Sequence, residues 1–190
     1  MINASNITYH AFPNIHWPCK LDDKLKQQLI SINSVHDDID ILGLSSGKAA
    51  LTGAGYVLSG LFSICIPNTN MDSLYGLTVG AKDWLGAIAV EDYPAVVTSV
   101  DILKPVKVLF FPTKEINKIA KNNDQVYKWL YSIVRINHPK WLQMPVIAKH
   151  KIKSRIAFAL IDLALHFEEA IGQQLVLNYR CAWHSPFACE

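Results

Sequence analysis

The sequence predicts an α+β chain, a small antiparallel β sandwich or barrel with helices on either side. Between Ile39 and Phe111, short apolar runs alternate with Gly43, Gly47, Gly53, Gly55, Gly60, Pro67-Asn68, Gly76, Gly80, Gly86 and Pro94. Many short strands punctuated so closely build a sandwich or small barrel. Outside that region, apolar residues recur at helical spacing. Apolar residues make up 51% of the 190 and charged residues 18%. That is enough to bury a core without staples, and too apolar for disorder.

The elements follow in order. Leu21, Leu25, Leu29 and Ile32 mark a first helix, with Asp22 and Asp23 at its start, where carboxylates favour the helix dipole. Asp37, Asp38 and Asp40 then form a solvated turn. In the last strand of the β region, Val106, Val108 and Phe110 occupy one face, and Lys107, Leu109 and Phe111 the other. Pro112-Thr113 opens a short helix through Ala120, with Glu115 in its first turn. A longer helix starts near Asp124, and its Val126, Trp129, Leu130, Ile133 and Val134 form a continuous apolar stripe. Pro139 and Pro145 argue against one straight helix to residue 150. A last helix runs from about Lys149 to Glu169. Ile152, Ile156, Leu160, Leu163 and Phe167 share one face, and Phe158, Ile161 and Leu165 make the other side apolar too. Gly172 to Glu190 has no clear period. The expected divisions are a helical segment (1–38), a β domain (39–111), helices (112–148) and a C-terminal remnant (149–190).

Several functions are excluded on composition and spacing. A formal net charge of +2 gives no strongly basic face of the kind a whole DNA-binding domain shows. Ala49 to Met71 lacks charge over a length that could span a bilayer, but three glycines, a proline and two asparagines interrupt it, so a buried β region fits better. Met1 to His10 has no basic segment leading into an apolar one, so no signal peptide is expected, and the chain reads as cytoplasmic without a membrane partner. Cysteines 19, 65, 181 and 189 have no metal-ligand spacing, and Cys65 lies in an apolar strand where a thiol is inert. Gly43-Leu-Ser-Ser-Gly47-Lys48 is one residue short of a phosphate loop and has Ala49 where a hydroxyl would bind magnesium. Gly53-Ala-Gly55 reads as a turn. The histidines at 10, 16, 36, 138, 150, 166 and 184 lie outside the β region, which does not suit a metal cupin. No enzyme and no cofactor are expected.

Read as words, the β region resembles a known family. Gly55-Tyr-Val-Leu-Ser-Gly60-Leu-Phe62 is similar to the turn between two strands of the cyclic-nucleotide-binding jelly roll (a double-stranded β-helix), and Val79-Gly80-Ala-Lys-Asp83-Trp84-Leu85-Gly86 to that fold's "pGdwlG". Tyr93-Pro94-Ala95-Val96 and Val106 to Phe111 resemble its closing strands. Lys153-Ser-Arg155-Ile-Ala157-Phe-Ala-Leu160-Ile-Asp-Leu163-Ala164 resembles the helix that begins the winged helix-turn-helix of Crp/Fnr transcriptional regulators. The likeness runs from Ile39 to Phe167 in the family's order. It implies a jelly-roll sensor, a dimerisation helix and a C-terminal DNA-reading domain. A homodimer would then pair through Val126, Trp129, Leu130, Ile133 and Val134.

Two departures qualify that reading. Nucleotide-binding members place a glutamate after the glycine that matches Gly86, then an arginine and a hydroxyl residue for the cyclic phosphate. Here Ala87 follows Gly86, and Pro94-Ala95 stands near the other two positions. Losing a bidentate arginine and the ribose acceptor weakens binding by at least about a hundredfold. The cassette Gly86, Ala87, Pro94 and Ala95 is therefore expected to be degenerate. The second departure is that Gly172 to Arg180 has room for a strand, and Cys181 to Glu190 for no helix-turn-helix, so the C-terminal part is expected to be a truncated winged-helix remnant. Lys149, Lys151, Lys153 and Arg155 could contact a DNA backbone, in a salt-sensitive way, and sequence-specific DNA partners require a complete C-terminal domain. An unknown small-molecule effector is compatible. The alternatives are a sensory or protein-interaction module without DNA binding, and a non-metal cupin-like barrel holding a small molecule.

Overall fold

A computed structural model of the chain describes residues 15–39, 53–66, 75–86 and 99–166. Helix α1 (Asp23–Ile32) starts where Asp22 accepts the Leu25 amide at 2.6 Å, a side-chain N-cap, and buries Leu25 and Leu29. Strand β1 (Ser34–His36) follows. The sheet continues with β2 (Gly53–Ile66), β3 (Tyr75–Gly80), β4 (Trp84–Gly86) and β5 (Ser99–Pro112). Helices α2 (Thr113–Ala120), α3 (Gln125–Ala148) and α4 (Ile152–Leu165) complete the described chain.

All pairings are antiparallel. β5 lies between β1 and β2, and β3 and β4 share the opposite side of β2. Leu61 to Ile66 pair with Gly80 back to Tyr75, and Tyr56 back to Ala54 with Trp84 to Gly86. β3 and β4 therefore run in line as one strand interrupted at Ala81–Asp83. The break is bridged by the Val57 amide donating to Asp83 O at 2.9 Å and the Lys82 amide to Val57 O at 2.8 Å.

The neighbouring strands are irregular at the same level. β2 and β5 slip register between Val57 and Phe62, Gly60 has φ +100°, and Pro105, which has no amide to give, lies opposite. A Cβ on Gly60 would meet the Pro105 carbonyl oxygen at 2.2 Å. The sheet bends here, and the extra residue switches which side chains face inward. Before the bend Val57 points into one cluster; after it Phe62 and Ile64 join that same cluster.

Two cores result, one on each face of β5. Val106, Val108 and Phe110 face Val57, Phe62, Ile64, Leu77, Val79 and Leu85 inside the curled sheet. Leu109 and Phe111 face Ala54, Tyr56 and Trp84, against Leu25 and Leu29 of α1, Ile116 of α2, and Val126, Trp129 and Ile133 of α3. The alternation expected for Val106 to Phe111 is present, with both faces buried and Lys107 paired to Asp37 at 3.4 Å. The chain has the jelly-roll type of α+β fold.

Four local expectations need correction. Gly53-Ala-Gly55 opens β2 and is not a turn. Gly55 to Phe62 lies within one bent strand, not between two. The sheet takes in Ser34–His36, so it begins before residue 39. α3 passes unbroken through Pro139 and Pro145. The prolines leave the carbonyls of Arg135 and Trp141 without their helical donors; both residues are exposed, and water can take those bonds. No described helix is long and apolar enough to cross a membrane. The Gly43–Lys48 segment, Asp40, Pro67-Asn68, Gly172 to Glu190 and the side chain of Cys65 lie outside the described residues.

Gly60→Ala forces a side chain into a left-handed position against backbone and should cost about 2 kcal/mol or more. Urea unfolding should show a large drop in midpoint, with the exposed Ser59→Ala change close to neutral.

Candidate functional site

Gly86 ends β4 with φ +81°, and a Cβ there would lie 2.3 Å from the Gly53 carbonyl oxygen. Only glycine fits this position. The preceding Trp84 is held on two sides. Its Nε1 donates to His16 O at 2.7 Å, and Asn137 Nδ2 of α3 donates to its carbonyl at 2.9 Å. The start of the expected ligand loop is thereby tied to the N-terminal segment and to α3. Ala87, Pro94 and Ala95 lie outside the described residues. Leu85, next to Gly86, belongs to the hydrocarbon interior with Val57, Val106 and Phe110. Among the described residues that interior presents no charged side chain to a ribose or phosphate.

The expected dimer stripe separates into two parts. Val126, Trp129 and Ile133 are fully buried in the chain's own core, and Leu130 is half-buried against it. Trp129 packs edge-on to Trp84 and Phe111 with centroids at 5.6 and 5.5 Å, and Trp17 approaches both tryptophans. These residues are an intramolecular core and cannot also face a second copy. Of the stripe, only Val134 remains exposed. It belongs to a different row: Tyr127, Tyr131, Val134, His138 and Trp141, all exposed, spaced alternately four and three apart. At about 100° per residue this row is centred roughly 120° around the helix from the buried Val126, Trp129 and Ile133.

The basic residues cluster at the junction of the last two helices. Lys149 caps the C-terminus of α3, and Lys151 occupies the N-cap position of α4 without a capping bond. Lys149, Lys151 and Lys153 are exposed, whereas Arg155 is partly covered, its Nε buried without a partner among the described residues. Lysines at the positive end of a helix oppose its dipole. α4 buries Leu163 and leaves Ile152, Ile156, Leu160, Ile161 and Leu165 exposed, so the all-round apolar character read from the sequence is largely uncovered among the described residues.

One set of contacts had no local sequence signal. Asp162 of α4 accepts the Thr78 amide of β3 at 3.2 Å. Asp83 Oδ2, in the β3–β4 break, accepts the Gly80 amide at 3.0 Å, with Lys140 Nζ at 3.5 Å and His166 Nδ1 at 3.7 Å. Residues 78, 83, 140, 162 and 166 meet only through tertiary folding.

No known family's sequence model matches the chain, and no curated protein does so. Solved structures do, and the likeness is one of fold. A protein described as a Crp/Fnr-family transcriptional regulator from Eubacterium rectale aligns with TM-score 0.53 at 16% identity, over 76% of this chain and 69% of its own. The cyclic-di-GMP-responsive global regulator CLP of Xanthomonas campestris aligns with TM-score 0.53 at 15% identity, over 75% of this chain and 72% of its own. The shared feature is the fold.

Lys151→Asp would add an N-cap acceptor and reverse the charge at the start of α4. It should stabilise the helix by about 1 kcal/mol, seen as slower amide exchange across Ile152–Leu165.

Proposed function

We propose that this chain is the sensory and dimerisation unit of a Crp/Fnr-type transcriptional regulator, working as a homodimer and not taking cyclic AMP or cyclic GMP. The observation that carries this reading is the exposed row Tyr127, Tyr131, Val134, His138 and Trp141 on a helix of the regulator fold. A four-three repeat is the spacing of a two-stranded coiled-coil seam, and a single polar residue within it, here His138, fixes register. A two-fold pairing of α3 with its copy would cover this row without disturbing the buried face.

Ala87 and Pro94-Ala95 argue against cyclic nucleotides, because the sequence places no carboxylate, arginine or hydroxyl where the resemblance puts the ribose and phosphate ligands. Lys149, Lys151, Lys153 and Arg155 supply contacts to phosphate, not to base edges, so any DNA binding through them falls steeply with salt. A second reading, a module that pairs with other proteins, draws on the exposed apolar residues of α4.

Sedimentation equilibrium at tens of micromolar should show a dimer. Tyr131→Asp with Val134→Asp should shift it to monomer while leaving helix content unchanged, because both residues are exposed. Ile133→Asp should instead unfold the chain. A wild-type monomer at that concentration would remove the homodimer from this reading.

Calorimetric titration should detect no micromolar binding of cyclic AMP or cyclic GMP. A micromolar dissociation constant for either would mean that the loop after Gly86 builds a phosphate site from other residues. Cyclic di-GMP, to which the Xanthomonas regulator responds, is a third arm of the same titration.

A further inference from the structure

We propose that α4 is held on the sheet by a polar latch, Asp162 on the Thr78 amide and His166 beside Asp83, and that displacing the β3–β4 break releases the helix. The inference goes beyond the dimer reading and does not depend on it.

Among the described residues α4 buries little of its apolar surface: Leu163 is buried, and five large apolar side chains stand exposed. An element with little buried surface opens locally at low cost. Two polar contacts tie it to the sheet. Among the described strands β3 is an edge, and its Thr78 amide would otherwise lack a strand partner; Asp162 Oδ2 accepts it at 3.2 Å. A charged acceptor makes this bond stronger than a neutral one.

The second contact depends on a missing side chain. His166 is nine-tenths buried, with its Nδ1 3.7 Å from Asp83 Oδ2. A Cβ on Gly80 would stand 2.7 Å from that Nδ1 and 3.1 Å from Cγ. Glycine at 80 thus makes the recess in which the imidazole sits. Asp83 also receives the Gly80 amide and Lys140 of α3. One carboxylate therefore joins the strand break, α3 and α4, three residues before Gly86.

The test is hydrogen–deuterium exchange of the full chain carrying Asp162→Ala or Gly80→Ala. Alanine improves the local propensity in both cases, replacing aspartate in a helix and glycine in a strand. A Cβ on Gly80 also meets the buried Leu61 side chain at 3.2 Å, so it is faster exchange confined to α4 that reports lost docking. Asp162→Ala should speed exchange across Ile152–Leu165 by roughly tenfold, the size expected for losing one charge-assisted bond, and Gly80→Ala should speed it in the same helix by displacing the imidazole. The amides of α1 and α2 should not change. Unchanged or slower exchange in α4 would overturn the proposal. So would an equal rise in α1 and α2, since the contacts would then belong to global stability.

Discussion

At Gly60 two backbones come so close that no side chain fits between them, and the shape of the molecule follows from that contact. The approach to Pro105 bends β2 and β5 together, and the break at Ala81–Asp83 lets the next strand follow. Without the bend the sheet would be a flat ribbon with one alternating pattern. With it, Val57 and Phe62 face the same interior although an even-numbered step does not separate them. The inside of the curl closes on its own side chains, and the outer face of Ala54, Tyr56, Trp84 and Phe111 is left for the helices.

That outer face explains the position of α3. Trp84 is the centre of a ring cluster with Trp17, Tyr56, Phe111 and Trp129, in tilted and edge-on geometries with centroids between 4.9 and 5.7 Å. Such arrangements add to burial through the ring quadrupoles. Because the indole N–H and the carbonyl of Trp84 are both bonded, the same residue fixes the N-terminal segment and α3. The strand that leads to Gly86 is therefore firmly placed, bonded on two sides beyond its pairing with β2.

Much of this was legible in the chain. Asp22 and Pro112 marked helix starts correctly because capping is a local matter, and Val106 to Phe111 showed a strand with two apolar faces. The bend was not legible, since a glycine between apolar runs reads equally as a turn or as a bulge, and only the partner strand decides. The prolines of α3 misled for a similar reason: their cost depends on whether the freed carbonyls meet water. The stripe expected to pair two copies is mostly buried within the chain, because α3 carries two apolar rows. Val126, Trp129 and Ile133 have the same period as Tyr127, Tyr131 and Val134, and periodicity does not say which row faces inward. Residue chemistry gives a hint, for tyrosines keep a hydroxyl to present to water. Asp83, Lys140, Asp162 and His166 carried no signal, being far apart in sequence.

The arrangement of α3 bears on how sensing and pairing could be coupled. Lys140 reaches Asp83 in the strand break, and its neighbour Trp141 belongs to the exposed seam. Asn137, one turn earlier, holds the Trp84 carbonyl, and His138 beside it lies in the seam. Adjacent residues of one helix thus face the sheet and the proposed partner in turn. A helix packed on one side transmits rotation or sliding as a unit, since close-packed faces move between discrete positions and do not deform smoothly. Any shift of the strand break that moves Lys140 or Asn137 must carry Trp141 and His138 with it. The proposed seam and the α4 latch would then answer to the same strand break, through Asp83, without a separate pathway for each.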